Sequence, residues 1–285
     1  MKALLRSVVP LLAVTCFVAL TSPVYGQTIA TKDKPFTNFL GMRFVPVPVP
    51  DGKPVLFCIW KTRVKDFEAF VKETGHDATK KMYSLDASGN GQHGHTWRNP
   101  GFDQTPEHPV CGVSFDDAVA FCNWLSIKES RRYRLPTDHE WSCAVGIGII
   151  EKAAESPKEK KGKIKVYPWG RQWPPPMGAG NYAGEECKVT LAMPDVIQGY
   201  RDNRVFTSPV GSFDANKLGL YDLGGNLWEW CDSDYNGAGK YKTLRGGSWR
   251  DGNPGILLSS DRYDFEHSLR SSIVGFRCVV GDSAP

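Results

Sequence analysis

The stretch GLYDLGGNLWEW (219–230) carries the residues best suited to chemistry. Asp222 and Glu229 flank a Gly-Gly-Asn turn, and a loop of this kind offers side-chain and backbone oxygens together, the ligands a hard cation such as calcium prefers. Trp228 and Trp230 sit on either side of Glu229 and would shield it from water. The plainer role for both carboxylates is to hydrogen-bond loop backbone. His93 and His95 form a second candidate pair, in a glycine-rich loop close to Trp97. No acidic partner follows them, and His76 and His108 stand elsewhere, so they read as surface residues. No G-x-S-x-G, phosphate-binding loop or Ser-His-Asp arrangement stands out, and the absence of C-x-x-C argues against a zinc ribbon or thioredoxin-type site.

These residues need elements to hold them. Val64, Phe67, Phe70 and Val71 fall on one face of a helix over 62–75, closed by Gly75. Ser114 with Asp117 three residues on begins a second helix, whose buried stripe is Ala118, Phe121, Cys122 and Leu125. Thr137 and Glu140 repeat the capping-box spacing and open a short third helix. Residues 39–49 alternate as a strand entering the fold. Residues 77–104 read as a long irregular loop and 151–165 (EKAAESPKEKKGKIK) as a charged, solvated insert. From Val166 onward short apolar pieces alternate with Gly, Asn and Pro, and no period of 20–50 residues recurs. One α+β domain over 37–281 follows, after a flexible start at 27–36.

Lys2 and Arg6 precede an apolar run from Ala3 to Leu20, and a cut after Gly26 would leave small or β-branched residues at the required places. Residues 1–26 are therefore read as a secretory signal peptide, and the protein as secreted or periplasmic. The run is interrupted and barely reaches the roughly 20 residues of a membrane span; lipidation at Cys16 fits poorly after Thr15. No later segment is apolar enough to cross a membrane. Cleavage leaves 33 basic against 31 acidic residues, a net charge of +2 that gives no footprint for nucleic acid. Seven cysteines remain, an odd number, so at least one is unpaired within the chain. Nothing in the sequence speaks to oligomeric state.

The ordered set HPVCGVSFDDAVAFCNWL (108–125), RLPTDHEW (134–141), YPWG (167–170), GNYAG (180–184), TSPVGSF (207–213), GLYDLGGNLWEW (219–230), RGGSW (245–249) and GFRC (275–278) resembles the formylglycine-generating enzymes, or sulfatase-modifying factors, across nearly the whole mature chain. The resemblance implies their α+β fold, a C-type-lectin-like variant with two early helices, small twisted sheets and much irregular loop. It also implies two calcium sites, one of Asp222, the carbonyls of Gly225 and Leu227, and Glu229, the other of Asn181, the carbonyl of Tyr182, Asp202 and the carbonyl of Arg204. A disulfide between Cys122 and Cys278 is implied in the same way. The family partner of Cys143 falls near Ser259, leaving Cys143 free or re-paired, with Cys231 one option.

The resemblance fails where the family does its chemistry. Two cysteines shortly after GGS-aromatic bind copper in the family, because copper(I) favours thiolates. Here the first position falls at Asp251 and the second near Pro254, with no cysteine between Cys231 and Cys278. Copper is not expected, and no residue is assigned a catalytic role. Some relatives hold iron through H-x3-H-x-E, which His93 and His95 do not match. The family's substrate region maps to Ser248, Trp249, Arg250 and Asp251, with Trp228 and Arg262 lining it, although both tryptophans could equally be core. Two functions are in view: a non-catalytic, calcium-stabilised module binding a peptide or glycan, and a divergent oxidase using iron or a rearranged thiol such as Cys231.

Overall fold

Three helices form where the sequence supplies local stop and start signals. The structure, a computed structural model, describes residues 30–281 except 51, 81, 86–90 and 238, so the proposed export signal lies outside the described residues. Helix α1 (Val64–Thr74) ends on Gly75, whose φ of 68° is the left-handed geometry that closes a helix. Helix α2 (Phe115–Glu129) starts from Ser114, whose hydroxyl accepts from the Asp117 N–H while the Asp117 carboxylate accepts from the Ser114 N–H. Thr137 and Glu140 do the same for α3 (Asp138–Val145). Short helices α4 (Pro157–Lys160) and α5 (Glu185–Thr190) follow.

Eleven strands complete the described part. Strands β1 (Phe36–Thr37), β2 (Arg43–Val47) and β3 (Val55–Cys58) join β6 (Tyr133–Arg134) and β11 (Val279–Val280) in a five-stranded sheet ordered β1-β2-β3-β11-β6. Strands β7 (Trp228–Asp234), β8 (Tyr241–Arg245), β9 (Tyr263–Glu266) and β10 (Val274–Gly275) form a second sheet, ordered β10-β7-β8-β9. Strand β10 lies parallel to β7, and the other pairs in that sheet are antiparallel. Phe67, Phe70, Phe121, Trp124 and Phe276 interlock between α1, α2 and the segment joining β10 to β11. Aromatic burial of this kind supplies most of a core's stabilisation.

Three expectations change. Residues 77–104 are not one irregular loop: Met82–Leu85 (β4) and Gly91–His95 (β5) pair as an antiparallel ladder. Glycine and histidine in β5 hide it from any propensity argument, because its support is cross-strand, with Tyr83 against the His93 ring. The insert is not simply solvated. Glu151 takes two hydrogen bonds from Arg262, and Lys160 is buried with its ammonium 3.7 Å from the Asp138 carboxylate. Order also begins before residue 37, since Phe36 pairs with Phe44 in β1–β2.

Candidate functional site

Strand β7 opens on Trp228-Glu229-Trp230, all buried. Burying a carboxylate requires compensating charge and full hydrogen bonding. Glu229 receives both. The Lys61 ammonium lies 2.6 Å from Oε1, Arg277 donates at 2.7 Å to each carboxylate oxygen, and the Trp141 indole donates to Oε2 at 3.1 Å. Lys61 also donates to the Asp222 carbonyl. Burial pushes the Glu229 carboxyl up, but Arg277 and Lys61 more than reverse this and hold it below the usual carboxylate range. Asp222 sits in the left-handed region at φ 54°. Its Oδ2 accepts from the Gly211 N–H at 2.9 Å, whereas Oδ1 is buried without a hydrogen-bond partner.

Gly225 links this centre to the neighbouring loop. Its φ is 77°, and a Cβ there would stand 2.2 Å from the Asn181 carbonyl oxygen, so only glycine allows the two loops to touch. In that second loop the Asp202 carboxylate accepts from the N–H groups of Tyr182 and Arg204, each at 2.7 Å. The Asp202 and Arg204 N–H groups in turn reach Glu186 Oε1 at 2.9 and 3.3 Å. Burial and a hydrogen bond to Glu186 push the Asp202 carboxyl up to about 8, while the hydrogen bond with Asp202 and the backbone donors hold Glu186 low. Asn181 is fully buried, and its Oδ1 has no partner.

The two oxygen clusters answer a calcium ion differently. Around Glu229 two cations already face two carboxylates, and the set does not fit an added divalent ion. Around Asp202 two carboxyls lie in one loop, and buried oxygens of Asn181 and Glu186 have no partner, which does fit one. Glu186 is the member of this cluster that sequence reasoning missed; the acidic pair Glu185-Glu186 directly after GNYAG was its only local signal.

Asp251, where the resemblance led us to look for a cysteine, is closed in by hydrogen bonds. Asp251 Oδ2 accepts from Ser248 N at 2.8 Å, Ser248 Oγ at 2.7 Å and Trp228 Nε1 at 2.9 Å. Burial raises the Asp251 carboxyl despite these donors. Pro254 lies exposed nearby in sequence. Trp228, Ser248 and Asp251 therefore come together as expected, but the other members of the presumed pocket do not. Trp249 is enclosed, edge-on to Phe102 and Phe206, and its indole donates to the Ser272 carbonyl. Arg250 is exposed. Arg262 is buried among Asp138, Ser142 and Glu151. Its charge is spent on the α3 terminus and the insert, where Arg245 also meets Asp138.

Cys122 and Cys278 are neighbours as thiols, their sulfurs 3.5 Å apart, and no disulfide is formed among the described residues. Cys231 is fully buried, and burial pushes its thiol well above the ordinary value, so it is no ready thiolate. His93 and His95 lie on β5, with His95 Nδ1 3.2 Å from the Asn99 carbonyl. No three His, Cys, Asp or Glu side chains converge on a common metal position among the described residues.

A cavity of about 560 Å³ opens on the far side of Asp222. Tyr167, Pro168, Trp169, Asn216 and Leu220 line it with Asp222. Tyr167 and Trp169 stack in parallel at 4.7 Å, and Trp173 stands beside them, 39% exposed. Its size and mixture of aromatic and polar walls suit a small ligand or a segment of a larger one.

Residues 47–281 match the profile of the sulfatase-modifying factor enzyme 1-like domain. The chain belongs to that family. Among curated proteins it is 34% identical over 200 residues to inactive C-alpha-formylglycine-generating enzyme 2 of Bos taurus, covering 66% of this chain and 57% of that protein. It is 35% identical over 217 residues to the formylglycine-generating enzyme of Bos taurus, covering 66% and 49%. The chain thus spans about half the length of these relatives. The solved structure of PvdO from Pseudomonas aeruginosa superposes with a TM-score of 0.59 at 21% identity, over 87% of this chain and 98% of that one. The family's α+β fold is shared. No helix among the described residues is long and apolar enough to cross a membrane.

Proposed function

We propose that this member of the sulfatase-modifying factor family is an exported, non-catalytic module that binds a peptide or glycan. The observation that carries the reading is Asp251: where the family's copper chemistry asks for a thiolate, a carboxylate is tied to Ser248 and Trp228 by three hydrogen bonds. A carboxylate engaged in this way is no soft ligand. The bovine relative carrying the word inactive in its name supports the same direction. Export rests on the charged, apolar and small-residue segments of residues 1–26.

Binding is assigned to the aromatic cavity beside Asp222 rather than to the residues around Trp249. Stacked Tyr167 and Trp169 offer flat apolar faces to a sugar ring or a prolyl side chain, while Asn216 and Asp214 supply polar contacts at the rim. Calcium, where bound, would sit among Asn181, Asp202 and Glu186 and supply charge that stiffens the loop against this wall.

The test is incubation of the mature protein with copper(I), oxygen and a cysteine-containing sulfatase peptide, followed by mass spectrometry. Unchanged peptide is expected. Conversion of the cysteine to an aldehyde would overturn the reading. In parallel, peptide and glycan arrays should give a signal that Trp169→Ala removes; a signal untouched by that substitution would move the site elsewhere.

A further inference from the structure

The Glu229 centre holds a cation that is part of the chain. We propose that Lys61 permanently takes the place of a calcium ion there, so that this centre is calcium-independent while the adjoining Asp202 loop is not. The proposal concerns cation binding and stands apart from the assignment of a ligand cavity.

The geometry carries it. Asp222 and Glu229 are both buried, and the Asp222 carbonyl and a Glu229 carboxylate oxygen, each a ligand type that a hard cation binds, meet at one ammonium group. Lys61 is fully buried, and its ammonium contacts both a Glu229 oxygen and the Asp222 carbonyl. It thereby bridges the same two residues that a metal would bridge. Arg277 holds Glu229 from another side and donates to the carbonyls of Cys58 and Tyr221. Two cationic and two anionic side chains face one another, and the charges of these four cancel. A divalent ion added to this set would leave a buried excess of two positive charges, which burial makes prohibitive. One trace of a more highly charged occupant remains: Asp222 Oδ1 has no hydrogen-bond partner, since the ammonium reaches the backbone oxygen of Asp222 and not this atom.

Lys61 reaches the centre from the segment between β3 and α1, which is pinned on both flanks. On one side Ile59 N donates to the Arg43 carbonyl at 2.8 Å; on the other Thr62 N donates to the Phe276 carbonyl at 2.9 Å, and Arg63 is held by the Asp66 carboxylate at 2.8 and 2.9 Å. The ammonium is therefore placed by the fold and does not swing in from solvent.

The experiment counts calcium on chelator-stripped mature protein by equilibrium dialysis and records melting temperature with and without millimolar calcium. Asp202→Asn removes the ionisable ligand from the second loop and leaves Lys61 intact; this variant is expected to bind no calcium and to melt at the same temperature with or without it. An equivalent of calcium bound by Asp202→Asn would overturn the proposal. The double variant Lys61→Ala, Asp202→Asn opens the Glu229 centre. It is expected to bind about one equivalent, with a dissociation constant of roughly 10⁻⁴–10⁻³ M, typical of extracellular calcium modules, and to melt higher when calcium is added. A folded double variant indifferent to calcium would show that Lys61 is not standing in for the ion. Should the double variant fail to fold, the Asp202→Asn result decides alone.

Discussion

Two neighbouring loops, joined where Gly225 meets Asn181, solve one problem in different ways. Each gathers buried oxygens. Around Glu229 the chain supplies the cations itself through Lys61 and Arg277. Around Asp202 the carboxyls of Asp202 and Glu186 are held by backbone N–H groups, and oxygens of Asn181 and Glu186 are left without a partner. The first arrangement is self-sufficient, and removal of one member leaves a buried charge uncompensated. The second is the one to which we assign an ion from solution.

The largest break should come from Lys61→Met. It strips one cation from a buried cluster, for which a loss of about 3–5 kcal/mol is expected, read as a lower denaturant midpoint with an unchanged slope. A loss under 1 kcal/mol would mean that Arg277 alone satisfies Glu229. The next effect uses a third cluster as a control without calcium. Arg245 and Arg262 overcome the burial of Asp138 and hold its carboxyl at about 2, below its ordinary 3.8. A depressed carboxyl contributes stability above the unfolded value that is lost on acidification, so about 2 kcal/mol should disappear between pH 4 and pH 2. Chelated wild type and the Asp138→Asn variant should separate in that window in acid-titration melts. A smaller change is expected from calcium removal: at a few millimolar ion and a dissociation constant for the Asp202 loop of roughly 10⁻⁴–10⁻³ M, as in extracellular modules, binding contributes about 1–2 kcal/mol. Chelation should therefore lower the melting temperature by a few degrees, an effect that Asp202→Asn abolishes. The smallest is Glu186→Gln, which keeps the backbone acceptor and should weaken calcium about tenfold without altering the chelated melting temperature. An unaltered affinity would remove Glu186 from the ligand set.

How much of this the sequence discloses depends on the range of the interactions. Helices α2 and α3 are legible because Ser114 with Asp117, and Thr137 with Glu140, satisfy their own termini within three residues. The residues around Glu229 announce a cation site because Asp, Asn, Glu and glycine crowd into twelve positions. The occupant is not legible, since Lys61 lies 168 residues from Glu229 and looks locally like any lysine ahead of a helix. Arg262 misleads for the same reason. Its partner Glu151 is 111 residues away, inside an insert whose composition reads as solvent-exposed. The β4–β5 ladder and the aromatic cavity likewise depend on pairings across the chain, which glycine-rich segments do not advertise.

Strands β10 and β11, only three residues apart, belong to different sheets: Val274–Gly275 lies beside Trp228–Glu229, and Val279–Val280 is the strand that joins β3 to β6 in the other sheet. Arg277, the counter-ion of Glu229, is carried between them. Neither sheet can be completed, and Glu229 lacks the second of its two cations, until residues 274–280 have emerged from the ribosome. A nascent chain of this protein therefore lacks the strand that completes each sheet until nearly all of it has been made.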